Sequence, residues 1–238
     1  NNFTFICCKI MIELKDISYM YQDGTEALRA INLSIREGEK MVVAGANGAG
    51  KSTLFMILNG ILKPSSGRYL FDNKEIKYAK KELYNLHKTV GVVFQEPDSQ
   101  IFSSSVYEEV AFGPLNLQLS DNEVKTRVGE ALETVDIENL RERPAHLLSY
   151  GQKKRVTIAS VLSMNPKVII FDEPTAGLDP AHASEIIALL DKLHQSGKTI
   201  IISTHDMNLA YQWADRIILL NNGKIVGDDT SAKVFDNQ

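Results

Sequence analysis

The chain has 238 residues, 44% of them hydrophobic and 24% charged, proportions that suit a folded globular protein and exclude a disordered, collagen-like or coiled-coil chain. Acidic side chains outnumber basic ones by 30 to 26, a net charge of −4 that argues against broad electrostatic binding of nucleic acid. Its cysteines, Cys7 and Cys8, are adjacent, so they build neither a disulfide framework nor a spaced Cys/His metal site, and a reducing compartment is expected.

The apolar opening stretch, Phe3 to Ile12, is interrupted by Lys9 and is too short for a membrane helix. It also lacks a small-residue cleavage site, and no later stretch is long and apolar enough to span a bilayer. Any membrane role is therefore expected to come through a partner. Met11 begins a segment that alternates as a strand, so the domain is expected to run over 11–238, with 1–10 an extension.

Strand-like pieces at Ile12–Ile17 and Ile31–Ile35 alternate apolar and polar residues, the pattern of a half-exposed antiparallel sheet. From residue 41 the pattern changes to short continuous apolar runs: Met41–Ala44, Val90–Phe94, Val168–Phe171, Thr199–Ile202 and Ile217–Leu220. Such runs suit strands buried on both faces. Helix-length stretches at Lys51–Leu58 and Ala181–Leu193 separate several of them. The alternation predicts an α/β fold with a mainly parallel core sheet and an antiparallel β portion at the N-terminus. Ser120 to Leu140 reads as helical, which makes 96–156 an expected helical insertion into a core formed by 11–95 and 157–238.

The segment Gly45-Ala46-Asn47-Gly48-Ala49-Gly50-Lys51-Ser52-Thr53 fits a phosphate-binding loop and follows a buried run directly. Small residues let backbone N–H groups converge on phosphate oxygens, and the following helix points its positive end at them. Lys51 supplies a charge for the β- and γ-phosphates, and the Ser52 hydroxyl suits Mg²⁺. After the run Val168–Phe171 come Asp172 and Glu173. In the company of a phosphate loop, Asp172 is expected to hold Mg²⁺ through its water shell and Glu173 to polarise an attacking water. By itself, such a pair is as readily a strand ending in solvated acids. Ser149, in Leu148-Ser149-Tyr150-Gly151-Gln152, is a plausible N-cap whose helix presents donors to an anion, although an ordinary capped helix gives the same pattern.

Taken together, GANGAGKST, LSYGQ, FDEP, GLDP and STHD occur in the order found in ABC-transporter ATPases, and the resemblance covers essentially 11–238. It implies a P-loop cassette that binds ATP and Mg²⁺ and hydrolyses ATP, working with a second ATPase subunit of the same or a paralogous kind. Carried over by position, Tyr21 resembles the aromatic that stacks on adenine, with Tyr19 as the fallback and sheet packing as the alternative for both. Gln95 resembles the Q-loop glutamine that approaches Mg²⁺, Asp179 the residue at the dimer seam, and His205 the switch histidine at the γ-phosphate. Ser149, Gly151 and Gln152 resemble the signature that meets the opposing nucleotide. The family usually has glycine where Tyr150 stands, so the Tyr150 side chain is expected to point away from nucleotide.

A narrower resemblance concerns Phe94 to Phe102, Val106 to Pro114 and Asp23 to Leu28, which look like energy-coupling-factor importers of the cobalt type. That implies a peripheral subunit on the cytoplasmic face of the membrane, docked on an integral membrane subunit near Gln95–Phe112 and powering uptake of cobalt. Nickel or vitamin import, or a soluble ABC ATPase such as one of iron–sulfur assembly, are the alternatives. Many relatives extend some tens of residues further, so an appended C-terminal region is expected to be missing.

Overall fold

Five parallel strands carry the centre of the molecule, a computed structural model in which residues 9–230 and Lys233 are described. The adjacent cysteines and most of the expected 1–10 extension lie outside the described residues. Of that extension, Ile10 already opens the first strand, one residue ahead of Met11.

The strands β1 (Ile10–Met20) and β2 (Glu26–Arg36) form an antiparallel pair that β4 (Ser66–Phe71) and the two-residue β5 (Lys74–Glu75) extend, in the order β2-β1-β4-β5. Both long strands outrun the expected pieces because the alternation is interrupted. A register shift lies between Leu14 and Ile17, and Asp16 takes a φ of 52°. Asp16 and Asn32 close this bulge with reciprocal bonds of 3.0 and 2.8 Å.

The second sheet runs β10-β9-β3-β8-β7-β6, from β3 (Lys40–Ala44), β6 (Val90–Val93), β7 (Val168–Phe171), β8 (Thr199–Thr204), β9 (Arg216–Asn221) and β10 (Lys224–Thr230). All its pairings are parallel except the β9–β10 edge hairpin. The apolar runs are buried on both faces, and successive residues serve different cores. Val42, Ile169, Phe171, Ile200 and Ile202 pack with the helical side, whereas Met41, Val43, Ile170 and Ile201 pack beneath the antiparallel sheet. A period of two thus operates inside sequences that show no polar alternation.

The helices are α1 (Lys51–Asn59), α2 (Lys80–Thr89), α3 (Val106–Asn116), α4 (Asp121–Thr134), α5 (Tyr150–Leu162), α6 (Pro180–Gln195) and α7 (Met207–Trp213). The helical reading of Ser120–Leu140 is corrected. Ser120 caps α4 through a reciprocal box with Glu123, but the helix stops at Thr134, and Asp136 turns the chain at a φ of 57°. The expected 156/157 junction falls inside α5, because that helix continues until its buried Val156, Ile158, Ala159 and Val161 have covered the sheet. Among the described residues, no helix is long and apolar enough to cross a membrane.

Candidate functional site

In the parallel part of the sheet, β3, β8, β7 and β6 are neighbours in that order, so the segments leaving their carboxyl ends share one edge. These are the loop from Gly45, His205, the Asp172–Glu173 pair and Gln95. In open α/β sheets that edge is where ligands bind.

The glycine-rich loop runs from β3 straight into α1. Gly50 stands at the N-cap with a φ of 108°, and a Cβ there would lie 2.7 Å from the Ala27 carbonyl oxygen, so conformation and space both require glycine. The helix has no side-chain cap and no acid in its first turn, so its N–H groups and positive end are offered to an anion. Lys51 is buried; its Nζ donates to the carbonyl oxygens of Gly45 at 2.8 Å and Ala46 at 3.3 Å, and lies 3.4 Å from Glu173 Oε1.

Where β7 ends, Glu173 takes a φ of 46°, in the left-handed region. That turn breaks the strand alternation and lets both carboxylates line one cleft. Ser203, on β8, holds the pair together. Its hydroxyl donates to Asp172 Oδ1 and accepts the Glu173 N–H at 2.8 Å. Glu173 is only 6% exposed, and its Oε1 has no hydrogen-bond donor. The other oxygen, Oε2, lies 3.1 Å from His205 Nδ1. A buried carboxylate whose Oε1 accepts no hydrogen bond and faces the Lys51 ammonium at 3.4 Å is placed to accept a proton.

Tyr21, Ala46 to Thr53, Gln95, Asp172 and Glu173 all line this cleft of about 600 Å³. Gly45 lies behind it, against the Leu220 carbonyl. The two tyrosines differ in position. Tyr21 lines the cleft and its hydroxyl lies 2.9 Å from Thr53 Oγ1, while Tyr19 packs edge-on against Tyr21 at 4.9 Å between ring centroids. His205 sits on an exposed loop, bonded to Glu173, and lines an adjoining cleft with Gly45 and Ala46. The oxygens of Ser52, Gln95 and Asp172 form a hard donor set, the kind that suits a small divalent cation.

Ser149, Gly151, Gln152 and Asp179 are not brought into that cleft. They line a second one, of about 490 Å³, together with Arg155 and His182, and the two linings share no residue. Ser149 caps α5 through a reciprocal box, its N–H donating to Gln152 Oε1 at 3.0 Å and its Oγ accepting from the Gln152 N–H at 3.3 Å. Asp179 caps α6, accepting from the N–H groups of Ala181 and His182 at 3.0 Å each. Tyr150 also lines this second cleft, with its hydroxyl 3.5 Å from the Gln95 carbonyl oxygen and 3.4 Å from that of Ala176. Its phenol is pushed up from the usual tyrosine range by burial and by the nearby Glu96 and Asp98.

Several site groups escaped the sequence reading. Ser203 lies inside the STHD stretch, whose pattern alone gives it no role. Asn222 and Gly223, in the turn of the β9–β10 hairpin, join the first cleft. Gly223 N–H donates to the Ala49 carbonyl at 3.0 Å, a contact no local pattern announces. Lys154 reads as one member of a basic run, yet it is buried. Burial pushes its ammonium down to about 8, against the opposing pull of Glu96, Asp172 and Glu173.

Lys51→Ala is expected to raise the dissociation constant for ATP by about tenfold or more, since it removes the loop's one mobile cation. Calorimetric titration checks it, and an unchanged constant would contradict the assignment of Lys51 to the phosphates.

Comparison with known proteins identifies the family and the fold. Residues 28–176 match the ABC transporter family model. The energy-coupling factor transporter ATP-binding protein EcfA of Methanocaldococcus jannaschii is 52% identical over 95% of this chain and 81% of its own length. The protein of that name from Methanothermobacter thermautotrophicus is 49% identical over 94% and 72%. Among solved structures, cbiO1 from Clostridium perfringens, part of the ABC transporter complex cbiONQ, superposes with a TM-score of 0.86 at 48% identity, over 95% of this chain and 91% of its own. A dimeric ATP-binding cassette in a post-hydrolysis state with ADP and phosphate reaches 0.84 at 33% identity, over 93% and 99%.

Proposed function

Since the chain belongs to the ABC transporter family and is an ATPase of that family, we propose that it is the ATP-hydrolysing subunit of an energy-coupling-factor importer. The observation that carries this reading is the convergence of Lys51, Gln95, Asp172, Glu173 and His205 at one edge of the parallel sheet. ATP lies with its phosphates on the loop Gly45–Thr53 and its base beside Tyr21. Glu173 takes the proton from the attacking water, and His205, held at its carboxylate, faces the γ-phosphate. Ser52, Gln95 and Asp172 would hold Mg²⁺, which when bound would supply positive charge to offset that of the phosphate oxygens. Ser149, Gly151, Gln152 and Asp179 serve the nucleotide of a second subunit, because their cleft is separate from the phosphate loop of their own chain.

An apolar groove of about 360 Å³ beside β6 and α3 supports docking on an integral membrane subunit, on the cytoplasmic face of the membrane. Phe102 and Phe112 line it while remaining 64% and 48% exposed, their rings edge to face at 4.6 Å. The loop that carries Phe102 is fixed by the buried Glu109, whose Oε2 accepts the N–H groups of Phe102 and Ser103 at 3.0 and 2.9 Å. Cobalt is the favoured cargo, on the resemblance of Asp23–Leu28 and Phe94–Pro114 to cobalt-type importers, with nickel or a vitamin next. The test is co-expression with the membrane subunits of a cobalt importer. Phe112→Glu is expected to reduce their co-purification about tenfold or more, because a charge has to be desolvated in the groove, while ATP binding is retained. Recovery equal to wild type would remove the groove from the interface. Uptake of radioactive cobalt, nickel and vitamin by the assembled complex separates the cargoes.

A further inference from the structure

Two side chains one turn apart on α5 reach back to the segments that leave β6 and β7. Lys154 is 0% exposed, and its Nζ donates to the carbonyl oxygens of Gln95 at 2.8 Å and Glu173 at 3.3 Å. The Tyr150 hydroxyl lies 3.4 Å from the Ala176 carbonyl oxygen and 3.5 Å from that of Gln95. Its ring rests on Gly177, where a Cβ would come within 2.9 Å of the ring, so the space for Tyr150 depends on a glycine opposite. These acceptors are backbone carbonyls, so the contacts fix where the main chain lies.

Glu173 is the residue with most to gain. A left-handed conformation is unfavourable for a glutamate and persists only where the surroundings determine it. Here the Glu173 N–H is held by Ser203 Oγ at 2.8 Å, and its carbonyl by Lys154 Nζ. We propose that Lys154, seconded by Tyr150, is a positioning residue for hydrolysis: it pins the Glu173 main chain and ties it to Gln95 and to the helix that begins at Ser149. The groups of the two clefts are then registered through one buried ammonium. This rests on Glu173 being the base proposed above, and Glu173→Gln measured alongside keeps the two ideas separable.

The experiment compares kcat, KM for ATP and thermal midpoint for Lys154→Met, Lys154→Gln and Tyr150→Phe. Lys154→Met is expected to lower kcat about tenfold, the factor one hydrogen bond to a charged group supplies, with KM within about threefold of wild type. Lys154→Gln keeps an N–H donor and is expected to restore part of kcat. Tyr150→Phe leaves the ring on Gly177 and removes only the hydroxyl, for an expected loss of about threefold. A purely structural lysine predicts instead a lower thermal midpoint with kcat per folded molecule unchanged, and Gln no better than Met; either result overturns the proposal. If Lys154→Met does not fold, unchanged kcat in both Lys154→Gln and Tyr150→Phe overturns it equally. Wild-type turnover in Glu173→Gln would instead displace Glu173 as the base.

Discussion

Glu173→Gln is expected to bind ATP and hydrolyse it roughly 10²–10⁴-fold more slowly, the range typical of a positioned general base. The amide has nearly the shape of the carboxylate, so the turn at a φ of 46° and the Ser203 bond to the Glu173 N–H remain in place. What disappears is basicity at Oε1, the buried oxygen with no donor of its own. A negative charge 3.4 Å from the Lys51 ammonium disappears with it. ATP affinity is therefore expected to hold or rise, since less negative charge then faces the phosphates. Single-turnover hydrolysis together with calorimetric ATP binding checks both halves. Turnover within a few-fold of wild type removes Glu173 from proton transfer, and lost binding makes it a structural residue.

Ser149→Arg is expected to abolish ATP-dependent pairing of subunits while leaving ATP bound. The reason lies in the separation of the clefts: Ser149 is on one lining, the phosphate loop on the other. If hydrolysis needs both, two chains have to meet, and only ATP offers a γ-phosphate for Ser149 and Gly151 to hold across the seam. Light scattering of the Glu173→Gln protein is expected to give a dimer with ATP and a monomer with ADP, and a monomer in both after Ser149→Arg. Ser149 also caps α5, and losing a cap costs about 0.5–2 kcal/mol. Ser149→Asp separates the two effects. Aspartate is as good a cap, but its charge opposes a phosphate, so it is expected to keep the thermal midpoint and lose the dimer. Equal masses with both nucleotides, with full activity where only monomer exists, would sink the two-subunit site. The same measurement with the membrane subunits present covers an affinity that they raise.

The residues that do local work announced themselves. A phosphate loop needs small residues, a lysine and a hydroxyl in succession, so Gly45–Thr53 identifies itself, and the strand before it and helix after it follow from the same stretch. Strands buried on both faces have to be continuously apolar, which is why β3, β6, β7, β8 and β9 fell on the expected runs. The weaker elements did not show. β10 alternates half-buried and exposed residues along an edge, and β5 is two exposed residues long, so neither has an apolar requirement that composition could betray.

What the sequence determined by itself is therefore which side chains need burial and which loop is shaped for phosphate. It left open which strands are neighbours, because a buried strand is satisfied by any apolar neighbour of suitable register, and only packing of the whole sheet selects one. The tertiary structure placed β8 between β3 and β7, and so put Ser203 between the Asp172 carboxylate and the Glu173 N–H, and His205 on the Glu173 carboxylate. It bent Glu173 into the left-handed region, which no side-chain pattern encodes, because the conformation is held from elsewhere in the chain. It also buried Lys154, whose neighbours in sequence suggest a solvated basic face. The carbonyls that compensate its charge come from Gln95 and Glu173, in the segments that leave β6 and β7, and only the folded chain brings them to one ammonium.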